Sequence, residues 1–319
     1  MAIIRTHRPV WNRQLCIPCG ACSRRCPASV FTELADEQDS LRGRVARLKS
    51  LPKNRANQPP CQRACPLGQD VPGYVQAVAQ GDIERAYQLV IETNPLPSVC
   101  GRVCSHPCMQ ACVRSKLDQA VEIRTLKRVI CENSKERQSP APEKMRSEKV
   151  VVIGAGPAGL SASYFLARSG YSVDLYEAKQ SAGGRLRAAA LSDELPADVI
   201  ESDIELVRSS GVKIQIGSPI QTAAQIDELL ANFGAVVLAV GAGPEQSPEH
   251  LVWLTQNKNL VITPKGSLQA DSKTFMTSQA KVFACGEVMT GPRDLIRVIA
   301  SGKRAARAVD QFIQAGDQS

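Results

Sequence analysis

An α+β chain of several domains is predicted by three features: cysteines crowded before Val150, a strand–turn–helix pattern with three glycines at Lys149–Leu160, and a second half too short for two doubly wound units. The order expected is an arm over residues 1–50, a helical cysteine-rich domain over 51–132, a linker over 133–148 and a reduced doubly wound α/β domain over 149–319. With 319 residues and 43% apolar composition, the chain is long enough to bury a sizeable core. The start, MAIIRTHRPVWNRQLC, has no apolar run of signal-peptide length and no later run reaches a membrane span. The expectation is a cytoplasmic chain, not inserted in a membrane, whose thiols stay reduced.

Eleven of the 12 cysteines are Cys16, Cys19, Cys22, Cys26, Cys61, Cys65, Cys100, Cys104, Cys108, Cys112 and Cys131. Their short spacings suit a metal better than a disulfide framework. Residues 1–150 carry 24 Lys and Arg against 14 Asp and Glu, a local balance of +10, whereas the remainder carries 15 against 17. A basic half invites a nucleic-acid reading. Stacking aromatics are not interleaved with the basic residues, however, and thiolate-held clusters are anionic groups that such cations offset, so no nucleic-acid partner is expected.

The first run, CIPCGACSRRCP, has the C-x₂-C-x₂-C-x₃-C-P spacing of a [4Fe–4S] ferredoxin loop. By that rule Cys16, Cys19 and Cys22 share one cluster and Cys26 reaches another. Zinc sites also use C-x₂-C pairs, but three cysteines at successive two-residue gaps and a fourth followed by proline are poor zinc-finger spacing. Residues 33–52 are charged and helix-permissive, a helical spacer. From Cys61 onward, two cysteine groups flank apolar residues at helical spacing between Tyr74 and Ile91, which predicts a helical pair. His106 reads as a loop residue beside sulfur more than as a ligand, and Cys131 as a buried small residue or a further ligand. From Asn133 to Lys149 the composition turns to Ser, Pro, Glu, Lys and Arg, a linker.

The stretch KVVVIGAGPAGL reads as strand, turn and helix around a dinucleotide pyrophosphate. Gly154 permits the turn, Gly156 lets backbone approach the phosphates, and Gly159 lets helix and strand pack, with Pro157 and Ala158 opening the helix. Ser161 to Arg168 continues the helix, Gly170 closes it, and Tyr171–Tyr176 alternates as a strand ending at Glu177. That places an acid about twenty residues past the glycines, where it accepts from ribose hydroxyls.

The segment Cys61–Arg128, with CxxxCP, the NPLP turn, GRVCSHPCMQAC and VEIRTLKR, resembles the helical iron–sulfur domain of the glutamate synthase small-subunit family. That family includes the N-terminal part of dihydropyrimidine dehydrogenase and the large subunit of the ferredoxin-linked transhydrogenase. The likeness spans roughly residues 58–312 and implies a ferredoxin-like arm and helical iron–sulfur domain followed by a reduced doubly wound α/β FAD-binding domain. It implies that Cys65, Cys104 and Cys108 share one cluster with a non-cysteine ligand, while Cys61 and Cys112 join a second with an upstream C-x₂-C pair. Here the preceding NRANQPP has no cysteine, so Cys100, Cys131, Cys26 or part of the first run must stand in. At least two [4Fe–4S] clusters are expected, with cysteines nearly sufficient for three.

The resemblance extends to SAGGRLR, where Gly183, Gly184 and Arg185 are candidates beside the flavin ribityl and pyrophosphate. It extends to Gly241 after the strand Ala235–Val240, and to KVFACGEVMTGPRDLIRVIASGKRAARAVDQFI. There Gly286 and Glu287 close on the ribityl group, and a helix starting near Pro292, with Leu295, points N–H groups at the flavin. Glu287 stands where the family has aspartate. Cys285 reads as a buried small residue. Between Gly243 and Phe283 the family inserts an NADPH-binding domain, but here about forty residues intervene without a second G-x-G-x-x-G. A complete domain of that kind takes roughly 100 residues.

A flavin with clusters, and no acid–base pair or nucleophile beside them, implies an electron-transfer subunit of an oxidoreductase complex. Its partner subunits would carry iron–sulfur clusters or a catalytic metal site. The rival expectation is a self-contained FAD-dependent oxidoreductase acting on NAD(P)H or a small molecule.

Overall fold

A computed structural model describes residues 58–142, 144–189, 195–242, 252–256 and 260–316. The ferredoxin-like run Cys16, Cys19, Cys22 and Cys26, the spacer at 33–52 and Gly243 lie outside the described residues.

Among the described residues, the regular structure of the cysteine-rich part is helical. Helix α1 covers Pro60–Ala64, α2 Val71–Ala79 and α3 Ile83–Ile91. Asp70 caps α2 by accepting from Gly73 N–H at 3.1 Å, and Asp82 caps α3 by accepting from Arg85 N–H at 3.0 Å. An acceptor at the N-cap satisfies a donor that the helix itself leaves free. Helix α4 (Pro97–Val103), the short α5 (Pro107–Gln110), a 3₁₀ turn at Val113–Lys116 and α6 (Ile123–Asn133) complete this part. Gly101, within GRVC, lets α4 lie on the α6 backbone: a Cβ there would stand 3.0 Å from Arg128 Cα.

The second part is a five-stranded, all-parallel sheet in the order β3-β2-β1-β4-β5. The strands are β1 Lys149–Ile153, β2 Ser172–Tyr176, β3 Lys213–Gln215, β4 Ala235–Leu238 and β5 Val282–Ala284. Strands β4 and β5 are buried throughout, and β1 is buried after its first residue, as expected of parallel strands covered on both faces. Val150, Val152, Ala235, Val237 and Phe283 face one core; Val151, Ile153, Val236, Leu238 and Val282 face the other. The first core is continuous with that of the cysteine-rich helices.

On that first face lie α7 (Pro157–Arg168) and the long α13 (Leu295–Gly316), with α9 (Ala197–Ser209) and the short α8 (Leu186–Ala189) beside them. Helix α10 (Ala223–Asn232) covers the second face; its N-terminus is a capping box in which Thr222 and Gln225 bond reciprocally. Between β4 and β5 come α11 (Val252–Thr255) and antiparallel bridges joining Ile262 to Leu268, Ala270 to Thr277 and Met276 to Phe283. After β5 the turn-length helix α12 covers Glu287–Thr290.

Among the described residues, the expected elements hold with adjusted ends. The helical pair appears as α2 and α3, broken at Gly81, whose φ is 77°. The helix expected near Pro292 begins instead at Leu295, because Asp294 takes the N-cap role and accepts from Arg297 N–H at 3.0 Å. The linker is strapped down: Glu84 accepts from Ser134 Oγ at 2.7 Å and from Lys135 N–H at 2.8 Å, and Ser139 N–H reaches Ser209 Oγ at 3.0 Å.

Asp203 on α9 joins the two parts. Its carboxylate accepts from Ser98 N–H at 3.0 Å and Val99 N–H at 2.8 Å, capping α4 across the boundary. Burial pushes its pKa up to about 7 against the pull of those N–H groups. Asp203→Ala should cost about 2 kcal/mol, because it strands two buried donors at a helix N-terminus, and should expose the 133–148 linker to protease. The native state holds this proton until about pH 7, whereas the unfolded chain releases it near pH 4. Between those values the native state binds more protons, so wild-type stability should fall as pH rises across the window. Denaturant melts of Asp203→Ala lacking that slope would confirm the assignment; an identical slope would refute it.

Candidate functional site

The glycine turn sits between β1 and α7, at the carboxyl end of the sheet. Gly154, at φ 102°, has no room for a side chain: a Cβ would lie 2.6 Å from Ala239 O. At Gly159 a Cβ would strike the Gly154 carbonyl oxygen, so this glycine is what allows α7 to start against the strand end. Gly156 is the opposite case, since a Cβ there would meet nothing within 4 Å. Its backbone borders open space at a helix N-terminus, a cradle that a side chain would fill and an anionic pyrophosphate fits.

Glu177 is buried at the end of β2 and its carboxylate accepts from Ala155 N–H at 2.8 Å and Lys179 N–H at 2.9 Å. It therefore braces the glycine turn itself, in addition to the ribose role expected of it. Gly183 donates to Ala155 O at 2.7 Å, and Gly184, at φ 55°, lies so close that a Cβ would stand 2.9 Å from Gly156 Cα. Both glycines thus belong to the wall of the same cradle. Gly286 backs it from behind, with a Cβ position 2.6 Å from Ala158 Cβ, and its N–H reaches Ser301 Oγ at 2.9 Å. Glu287 pairs with Arg185 at 3.1 Å, which closes the two candidate walls on each other. With Arg185 72% exposed, the pair contributes little stability and is free to rearrange around a ligand. Pro157 opens α7 and Leu295 opens α13, while Gly241 turns the chain after β4 at φ 76°. Cys285 is fully buried, and burial pushes its thiol up to about 12.

The second centre lies among α1, α5 and α6. Cys61, Cys65, Cys104 and Cys108 are buried there and Cys112 is half-buried. No three cysteine, histidine or acidic side chains among the described residues converge tightly enough to hold a single metal ion. A four-iron cluster asks for more widely spread sulfurs, and the donors present suit one. His106 N–H points at Cys104 Sγ at 3.4 Å and Val121 N–H at Cys112 Sγ at 3.5 Å, the backbone-to-sulfur bonds that stabilise cluster thiolates. A hydrogen bond from Cys100 and then the His106 N–H bring Cys104 down to about 6, while burial holds Cys61 and Cys108 up at about 11. His106 itself is a left-handed residue at φ 44° whose ring Nδ1 lies 3.1 Å from Cys104 O, the loop role read for it. Cys100 is fully buried and also contacts Asn94 Oδ1 at 3.8 Å. Cys131 sits away from this group: burial and the Asp203 charge push its thiol up to about 12.

Two contacts that sequence spacing did not foretell tie the centres together. Ser105, between Cys104 and Cys108, donates to Asp294 at 3.4 Å, directly before α13. Lys303 of α13 donates to Leu67 O at 3.1 Å, two residues past Cys65, and lies over the Phe165 ring at 5.1 Å. Burial lowers the Lys303 pKa to about 8.

A family model described as dihydropyrimidine dehydrogenase domain II, 4Fe-4S cluster, matches residues 54–139. One described as pyridine nucleotide-disulphide oxidoreductase matches residues 115–311. The chain belongs to the pyridine nucleotide-disulphide oxidoreductase family. It joins the FAD fold of that family to a [4Fe–4S] domain and lacks the NADPH-binding domain between Gly243 and Phe283. It is 37% identical over 190 residues to NADPH-Fe(3+) oxidoreductase subunit beta of Geobacter sulfurreducens, covering 57% of this chain and 28% of that protein. It is 34% identical over 206 residues to NADP(+)-dependent formate dehydrogenase subunit beta of Moorella thermoacetica, covering 57% and 29%. Glutamate synthase [NADPH] small chain of Bacillus subtilis is 32% identical over 181 residues, covering 56% and 37%. The chain thus spans under a third of the first curated relatives it matches. No helix of the described residues is long and apolar enough to cross a membrane.

The contrast between two glycines gives a test of the cradle. Gly156→Val should leave iron content near wild type but abolish flavin retention, as read by absorbance of the purified protein. Gly159→Ala should instead destabilise the fold by about 1–3 kcal/mol, since its methyl overlaps the Gly154 carbonyl. Stoichiometric FAD in Gly156→Val would misplace the phosphates.

Proposed function

We propose that this chain is a cytoplasmic electron-transfer subunit, relaying electrons between [4Fe–4S] clusters and FAD to or from a partner subunit that performs the terminal chemistry. A flavin exchanges one or two electrons and a cluster one, so the two together link hydride-level and single-electron chemistry. The observation that carries the reading is the Ser105–Asp294 bond, which sets the Cys104–Cys108 loop against the start of α13. In this reading Gly156, Gly183 and Gly184 border the FAD pyrophosphate, Glu177 takes the ribose, Glu287 takes the ribityl hydroxyls, and the first N–H groups of α13 face the flavin ring. Cys65, Cys104 and Cys108 hold the near cluster, and Cys61 and Cys112 contribute to a second. The Cys16–Cys26 run supplies the contact through which a partner's cluster chain is joined.

The names of the relatives favour a second reading, in which a nicotinamide nucleotide is the hydride donor. In this chain that donor would need a surface from a neighbouring subunit, since hydride transfer requires the nicotinamide ring to be oriented over the flavin. The isolated chain should therefore be reduced slowly or not at all by NADH and NADPH, and readily by a low-potential one-electron donor. Anaerobic stopped-flow absorbance of the flavin distinguishes the two; rapid bleaching by either nucleotide would make the chain a self-contained oxidoreductase.

A further inference from the structure

Tyr74 is fully buried, and its hydroxyl has no hydrogen-bond partner in the structure. A phenylalanine would fill the same space without stranding a polar atom, and an unpaired buried hydroxyl weighs against folding. The oxygen therefore calls for a partner, and its surroundings restrict what that partner is. Tyr74 lies in the first turn of α2, which packs on α1, the carrier of Cys61, and on α6. The thiols whose charges reach the hydroxyl are those of Cys108, Cys65, Cys61 and Cys104, drawn from both cysteine groups. A tyrosine hydroxyl is protonated at neutral pH, so the group acts as a donor. A lone water among thiols would lack the two to four polar partners it needs.

We propose that the Tyr74 hydroxyl donates a hydrogen bond to a sulfur of the cluster held by this cysteine group and thereby raises that cluster's reduction potential. The reading rests on the iron–sulfur assignment above. Reduction adds negative charge to the cluster, and a donor aimed at sulfur stabilises the more negative state.

Tyr74→Phe in the full chain, purified anaerobically, tests this by a redox titration followed by EPR. Iron, sulfide and FAD should match wild type, while the midpoint of one cluster falls by the equivalent of a tenfold change in its one-electron equilibrium, 59 mV. An unchanged midpoint with full iron overturns the hydrogen bond and leaves the relay intact. Should the variant fail to assemble its cluster, the wild-type sequence grown with 3-fluorotyrosine replaces it as the probe. The more acidic phenol is a stronger donor and should raise the midpoint; no rise overturns the proposal. A wild-type protein without iron, found by metal analysis before any titration, overturns the relay reading and the hydrogen bond together.

Discussion

The close approach of three backbones around Ala158 is the constraint on which the second half of the molecule depends. Gly159 lets α7 begin against the Gly154 carbonyl, Gly286 brings the turn after β5 to Ala158, and Gly302 lets α13 press on α7, where a Cβ would overlap the Ala158 carbonyl and stand 2.9 Å from Ser161 Cβ. Ser161 Oγ then donates to Ile299 O at 2.8 Å, fixing the register of α13 on α7. Any side chain at these glycines would separate the helices and move the start of α13. Because Asp294 stands at that start, the same packing decides where the Cys104–Cys108 loop is held. Two candidate cofactor centres are thus positioned by one close contact.

This explains which features were legible in the sequence. The glycine turn and the helix that follows it are local patterns, in which the residues that set the geometry are sequence neighbours. The same holds for the continuous apolar runs of β1 and β4. Gly302, Gly101 and Asp203 were not legible, because each answers to a backbone or N–H group far away in sequence: Ala158, Arg128 and Val99. The late start of α13 was missed for a related reason, since Pro292 reads as a helix opener until Asp294 is seen to cap the turn. Cysteine spacing identified the type of metal chemistry, but partner choice depends on how α1, α5 and α6 fold together.

The charge asymmetry of the chain also has a local meaning. Lys127 is 5% exposed on α6, and it bonds to Gln69 Oε1, itself held by a bond from Gln69 Nε2 to Val90 O at 3.0 Å. A buried ammonium beside a neutral amide requires a compensating charge nearby. The thiols of Cys104 and Cys108 feel that charge, and Arg124 adds a second cation at 3.3 Å from Cys104 O. An anionic cluster is the group such a setting suits, so part of the +10 balance read from the sequence is directed inward to sulfur. That weakens the case for a nucleic-acid partner on physical grounds independent of any motif.

Hydrogen bonds to main-chain atoms tie the two halves together. Asp203 caps α4, Tyr164 Oη donates to Ile91 O at 3.0 Å, and Arg168 donates to Glu92 O at 3.1 Å, all reaching backbone atoms whose positions cannot adjust independently. A relay gains from this, because its rate depends on a fixed separation between centres rather than on a lid that closes over substrate. An enzyme that had to admit and release a nicotinamide at the same face would gain from a mobile second domain instead. The main-chain bonds across the boundary and the forty-residue passage from Gly243 to Phe283 therefore support the same proposal. In the proposed reading, this chain holds two centres together instead of opening one of them to a diffusing donor.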